Sequence, residues 1–149
     1  MFNGLNISAS GLTADRMWLD VIANNIANAN TTRTPQGGPY RREEVVMNQV
    51  PFTSFSSALS NAMSNSTSPS SSSMTGGGVQ VTGVVQDPSP FKVVYDPSSP
   101  DAVNGYVQMP NVDIATEMVD MLTAQQAYQA NVSAFNAGKT MDSLAITKL

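Results

Sequence analysis

Apolar side chains recur at a helical period along the first 30 residues. Leu5, Leu12, Leu19 and Ile26 stand seven apart, and Ile22 and Ala29 each follow three positions after Leu19 and Ile26. The spacing predicts a helix over 1–32, closed at Asn28-Ala29-Asn30 because Asn tolerates the left-handed backbone that ends helices. Pro35, Gly37 and Gly38 then forbid its continuation. Within a connector over 33–52, Tyr40-Arg41-Arg42-Glu43-Glu44 runs into Val45-Val46-Met47, which reads as a strand with a charged, solvated start. Residues 53–78 are mostly Ser, Asn and Thr and end in Gly76-Gly77-Gly78. Such a stretch buries too little apolar area to offset its ordering entropy, so a flexible loop is expected.

Two β-branched runs follow, Val79 to Val85 and Phe91 to Tyr95, separated by the turn signal Asp87-Pro88-Ser89-Pro90. They predict a hairpin. With the extended piece Gly105 to Met109 they make a small β unit over 79–109. From 110 to 149 the period is again helical, with Asn111 as the expected N-cap and Asp113 and Glu117 near the positive end of the helix dipole. Ile114, Met118, Met121, Gln125, Tyr128, Val132 and Phe135 alternate steps of four and three, the spacing of a coiled-coil seam. The fold class is therefore α+β, with N- and C-terminal helices bracketing a small central β unit and a flexible Ser-rich loop.

Charge alters this picture. Asp, Glu, Lys and Arg make up 12% of the 149 residues, about half the usual share. A chain so poor in charge hides much of its exterior against other chains. The deficit is sharpest from Met121 to Gly138, which contains no Asp, Glu, Lys or Arg, and in the first helix, whose charges are Asp15, Arg16 and Asp20. An apolar stripe at helical spacing is ordinarily core, and a two-helix hairpin on the β unit would account for one buried face. It does not account for uncharged far faces made of Ala, Ser, Thr, Gln and Asn, which suit close helix approach on several sides. The Asn cluster points the same way: Asn24, Asn25, Asn28 and Asn30 fall within seven positions. Asn is a poor helix former, so the cluster is either a frayed helix end or a set of amides bonded to a neighbouring helix.

A net charge of -4 and the acidic pI of about 4.4 argue against a nucleic-acid partner. With no Cys and no His, disulfides, thiolate nucleophiles, imidazole bases and the usual zinc or haem ligands are excluded. No cofactor, metal site or catalytic residue is expected. Asp96 and Asp101 flank a proline turn without a second acidic pair, Gly76-Gly77-Gly78 lacks a following Lys-Ser or Lys-Thr, and the Ser cluster has no partner base. The opening residues lack a basic region followed by an apolar run, so no cleaved signal peptide is expected, and no apolar run is long enough for direct membrane insertion.

Asn24-Asn25-Ile26-Ala27-Asn28-Ala29-Asn30-Thr31 resembles the N-terminal signature of the flagellar rod and hook proteins. The pairing of Asn111-Val112-Asp113 with Met121 through Asn131 resembles that family's C-terminal helix. Tyr40 to Val46, and Gly83 through Pro97, are similar to its proximal-rod members, and the resemblance covers nearly everything except 53–78. It implies a structural subunit of the basal-body rod in the cell envelope, whose terminal helices pair as a coiled coil and polymerise. They would transmit torque and form the wall of the export channel. The implied partners are copies of the chain, other flagellar rod proteins and the flagellar type III export apparatus. The residues expected to carry subunit contacts are Leu12, Leu19, Asn24, Asn25, Ile26 and Asn28 on the first helix. On the last helix they are Met121, Gln125, Tyr128, Gln129, Asn131, Val132 and Phe135. Another axial protein of the same family is the nearest alternative. A secreted helical binding module is a more distant one, since neither helix has the Lys- and Arg-rich face of an interfacial helix.

Overall fold

Helix-forming, charge-poor segments at both ends and β-branched runs between them set the element order. The computed structural model describes residues 2–50 and 76–147, so the expected loop over 53–78 lies outside the described residues apart from 76–78. Helix α1 spans Phe2–Ala27. Strands β1 (Glu43–Gln49), β2 (Val79–Gln86), β3 (Lys92–Tyr95) and β4 (Tyr106–Met109) precede helix α2 (Ile114–Thr147).

The two helices pair antiparallel. Asn25 bonds to Glu117, Gly11 lies against Asn131, and Gly138 lies against Leu5, so position rises along α1 as it falls along α2. The glycines mark the close approaches. A Cβ on Gly11 would stand 2.8 Å from the Asn131 side-chain nitrogen, and one on Gly138 would stand 2.9 Å from a Leu5 methyl. Glycine inside a helix costs about 0.5–1 kcal/mol relative to Ala, and here it allows the backbones to close up. Midway, the Asn131 Nδ2 donates to the buried Asp15 carboxylate at 2.8 Å.

The seam is not the one the apolar spacing predicts. Met121, Val132 and Phe135 are half-buried, but Ile114, Met118, Gln125 and Tyr128 are exposed. The inward positions instead include Glu117, Ala124, Ala127, Asn131 and Gly138, one position out of step with the expected heptad. Small residues won this face because they let α1 approach; the large apolar ones were left outside. In the whole of α2 only Glu117 and Ala124 are buried.

The ends of both helices also depart from expectation. Among the described residues no Asn near the end of α1 has a positive φ; Asn104 is the only non-glycine residue that does. Closure comes from tightening: Ala29 N–H donates to the Ile26 carbonyl, Thr31 N–H to that of Asn28, and the Asn28 amide to that of Asn24. At the start of α2 the cap is Asp113 rather than Asn111. Its carboxylate accepts from the Ala115 N–H at 3.3 Å and the Thr116 hydroxyl at 3.0 Å.

The β residues form two separate two-stranded antiparallel sheets, β1 with β2 and β3 with β4. The expected hairpin between 79–85 and 91–95 does not form. In β1–β2 the register runs from Glu43 opposite Gln86 to Gln49 opposite Val79, with a bulge between Val46 and Met47. In β3–β4, Lys92 faces Met109 and Tyr95 faces Tyr106. Asp87-Pro88-Ser89-Pro90 cannot make a tight ladder turn, because two of its residues lack N–H donors. Its carbonyls are held elsewhere: Arg41 donates to the Asp87 carbonyl at 2.9 Å, and Asn111 reaches the same oxygen at 3.4 Å. The turn signal that does close strands is Asn104-Gly105, both at positive φ, between the bridged residues Val103 and Tyr106.

The β1–β2 ladder is closed at its open end, where Val50 N–H donates to the Gly78 carbonyl at 3.0 Å. This neck rests on α1, since the Ser10 hydroxyl accepts from Val79 N–H at 3.1 Å. The apolar core is small. Ala14, Val21, Ile22, Ala29, Val107, Val112 and Ala124 are its buried members among the described residues.

Candidate functional site

Each terminal helix has an inner side, where a polar cluster holds the fold together, and an outer side exposed among the described residues. The cluster comes from three segments. Asn25 on α1 is only 1% exposed and fully engaged: its Nδ2 donates to the Glu43 carbonyl at 2.9 Å and to Glu117 Oε2 at 3.1 Å. Its Oδ1 accepts from the Tyr40 hydroxyl and the Glu43 N–H, each at 3.0 Å. Glu117, fully buried, receives Arg42 Nε on its other oxygen. Arg42 further pairs with Glu44, with Asp120 at 3.3 Å and with Asp87 at 3.9 Å, while its backbone N–H donates to the Asn111 Oδ1 at 2.8 Å. Arg42 is therefore not part of a solvated strand face, as its Arg-Arg-Glu-Glu setting suggests; it is the hub joining α2 to β1. Its neighbour Arg41 lies 4.5 Å above the Phe91 ring.

Electrostatics follow from this packing. Burial is the largest influence on Tyr40 and pushes its hydroxyl up to about 12, with Glu43 and Glu117 adding to the rise. For Arg42, burial pulls downward, but the Glu117 hydrogen bond and charge, with Glu44 and Asp120, carry it above its ordinary value. Asp87 is lowered chiefly by the Ser89 hydroxyl and N–H, against a smaller effect of burial, with Arg42 and Arg41 helping. A groove of about 430 Å³ lies over the cluster, lined by Trp18, Val21, Arg42, Met47 and Glu117 among others. Among the described residues no group of three or more acidic side chains is placed to hold a metal ion.

The expected contact residues divide between the two sides. Asn25 is wholly internal, and Asn131 is spent on Asp15. Asn28 bonds locally, donating to the Asn24 side chain at 3.1 Å and accepting from Thr31 at 3.2 Å. So the Asn cluster is part helix end and part interhelical bond, the helix being in the same chain. Leu12, Leu19, Ile26, Met121, Val132 and Phe135 are half-buried. Asn24, Gln125, Tyr128 and Gln129 face outward. The helical spacing puts Met118 in the seam, and after Gly138 continues it to Met141, Leu144 and Ala145; of these Met118, Met141 and Leu144 are exposed and only Ala145 is half-buried. Val119, Leu122 and Ile146, which that spacing does not single out, are exposed as well. The signal that could have found them is the excess of large apolar residues over what a single seam can bury.

With the geometry in hand, similarity to known proteins is extensive. Residues 5–33 match the family described as flagella basal body rod protein, and residues 103–147 match the C-terminal family of the flagellar basal body rod FlgEFG proteins. The flagellar basal-body rod protein FlgC of Bacillus subtilis is 47% identical over 145 residues, covering 94% of this chain and 92% of its own. That of Borreliella burgdorferi is 40% identical over 154 residues, covering 95% and 92%. That of Salmonella typhimurium is 38% identical over 142 residues, covering 95% and 92%. Since these relatives run nearly end to end with the chain, and both helices match rod families in their own right, the chain belongs to the FlgC family of flagellar basal-body rod proteins.

Proposed function

We propose that the chain builds the rod by burying the outer sides of both terminal helices against neighbouring subunits, transmitting torque through them and walling the export channel. As a member of a rod family it is a structural part of the flagellar basal body, not an enzyme, and it assembles with other rod components. One observation carries the reading: a helix of 34 residues with two buried side chains is unfinished on its own. Helical stability in proteins comes mainly from packing an apolar face, and α2 has most of its apolar surface unpacked. Contacts between subunits run through Asn24, Gln125, Tyr128 and Gln129, which face outward, and along the half-buried edge formed by Leu12, Leu19, Ile26, Met121, Val132 and Phe135. Asn25, Asn28 and Asn131 support those contacts from within, by fixing the two helices relative to each other.

Passage through the flagellar type III export apparatus belongs to the same proposal. A core made largely of Ala and Val side chains is cheap to unfold and refold.

Hydrogen exchange comparing free chain with isolated basal bodies tests the assembly reading. The expected outcome is that amides of α2 beyond Ala124 exchange fast in the free chain and slowly in the basal body, with α1 around Asn24 following. Equal exchange in both states would refute it. Circular dichroism gives a simpler check, since the helical signal should rise on assembly.

A further inference from the structure

We propose that Asn104 is a site of spontaneous covalent modification, its side-chain amide giving way, through a cyclic imide closed by the Gly105 nitrogen, to a mixture of aspartate and isoaspartate. The inference stands apart from the subunit contacts described above and concerns the β unit.

The reaction needs an Asn followed by a residue whose backbone nitrogen is open to the Asn side-chain carbon. Glycine serves best, because it has no Cβ to crowd the approach. Asn-Gly occurs twice, at Asn3-Gly4 and Asn104-Gly105, and every other Asn is followed by a residue with a Cβ. The first pair lies in α1, whose regular dihedrals hold the following nitrogen away from the side-chain carbon. The second is the two-residue turn between the bridged residues Val103 and Tyr106. Asn104 is exposed there, and among the described residues the Gly105 N–H donates to no backbone carbonyl. The nucleophile is free and the amide faces water.

Backbone geometry adds a second reason. Asn104 stands at a φ of 55°, a conformation that L-residues adopt at a cost, so leaving it recovers part of what opening the turn requires. Three backbone bonds clamp the turn: Val103 N–H to the Tyr106 carbonyl at 2.9 Å, Tyr106 N–H to that of Val103 at 3.1 Å, and Asp96 N–H to that of Gly105 at 3.0 Å. When they part, the Gly105 nitrogen, its proton taken by hydroxide, forms a bond to Asn104 Cγ, and ammonia leaves with a proton from water. Water then opens the ring. Breaking the new Cγ–N bond gives aspartate; breaking the original peptide bond gives isoaspartate, with the chain routed through Cβ and Cγ. One water enters, one ammonia departs, and nothing is oxidised or reduced.

The isoaspartyl chain is longer by one methylene and cannot keep this turn. Two contacts depend on it: Gly105, where a Cβ would stand 2.9 Å from the Tyr95 ring, and the edge-on pair of Tyr95 with Tyr106, their centroids 5.2 Å apart. The β3–β4 ladder runs only from Lys92 opposite Met109 to Tyr95 opposite Tyr106, so it has little else to hold this end. A modified subunit loses the end of that sheet, and the modified fraction rises with the age of the subunit.

Isolated basal bodies incubated in buffer made with oxygen-18 water, then digested and mapped by mass spectrometry, test the proposal. The heavy oxygen marks conversions that occur during the incubation. The peptide holding Asn104 should lose its amide and yield isoaspartate in excess over aspartate, while the peptide holding Asn3 keeps its amide. In the Asn104→Gly variant, which preserves the turn because glycine accepts a positive φ freely, the same peptide should stay unconverted. A structural readout accompanies it: in the aged full-length chain the Tyr95 and Tyr106 ring resonances should split into two sets in proportion to isoaspartate content. An unconverted Asn104 overturns the proposal. So does aspartate without isoaspartate, which indicates direct hydrolysis, and so does conversion of Asn3 ahead of Asn104.

Discussion

Replacing Glu117 by Ala removes the one fully buried carboxylate in the chain's polar cluster and strands two donors. Deleting one member of a buried ion pair costs about 3–5 kcal/mol when the other is left uncompensated. Arg42 is not left entirely so, because its side chain is 21% exposed and retains Glu44, Asp120 and Asp87. Asn25 likewise keeps the Glu43 carbonyl as acceptor. The expected loss for Glu117→Ala is therefore about 2–4 kcal/mol, below the full penalty but well above that of a surface pair. The chain's single tryptophan, Trp18, lines the groove over the cluster and reports its opening directly. In urea, the fluorescence midpoint should fall with little change in slope, and thermal unfolding should shift down by about 10 °C. The control is Glu44→Ala, which takes an exposed partner from the same guanidinium and should cost under about 1 kcal/mol. A double-mutant cycle with Arg42→Leu completes the test, and the predicted coupling is greater than about 1 kcal/mol. If Glu117→Ala and Glu44→Ala prove equally mild, the cluster does not hold α2 to β1 and the reasoning fails.

Asn131→Ala leaves the buried Asp15 carboxylate without its donor and should destabilise by about 1–3 kcal/mol in the same urea assay; an effect near zero would mean the bond is not formed in solution. Gly105→Ala forces a side chain onto a φ of 82° with its Cβ 2.9 Å from the Tyr95 ring. A loss of about 1–2 kcal/mol is expected, together with perturbed Tyr95 and Tyr106 ring resonances. Tyr40 holds its proton up to about 12, whereas the unfolded chain releases it near 10. The stabilisation from the neutral hydroxyl is thus complete below pH 10 and disappears as pH climbs through about 12. Absorbance at the tyrosinate band should show one of the four tyrosines titrating last, and Tyr40→Phe should abolish that late step. Four indistinguishable titrations would contradict it.

Much of this architecture is legible in the chain itself. Heptad-spaced leucines announce α1, and the return of a helical period after Pro110 announces α2. The rotation of α2 about its axis is not legible, because periodicity ranks positions by hydrophobicity and the seam was decided by size. Gly11 and Gly138 draw the backbones together at their close approaches to Asn131 and Leu5. Strand pairing escaped for a different reason. β1 and β2 are separated by the 50–78 stretch, so no short-range turn links them, while Asp87-Pro88-Ser89-Pro90 imitates a turn and instead offers its Asp87 and Ser89 carbonyls to Arg41 and Asn111. The role of Arg42 was equally hidden. Its nearest neighbours in sequence, Glu43 and Glu44, account for its charge without reference to Glu117, which follows 75 residues later.

The hydrogen bond from Val50 to Gly78 means that the sheet closes before the chain departs and resumes after it returns. For a flexible segment the entropy of closure grows only with the logarithm of length, so each doubling of a flexible insert costs about 0.6 kcal/mol. The neck is in that sense a port: an epitope, a fluorophore-binding peptide or a small domain spliced there inherits a fixed pair of anchor points, held to α1 by the Ser10 hydroxyl.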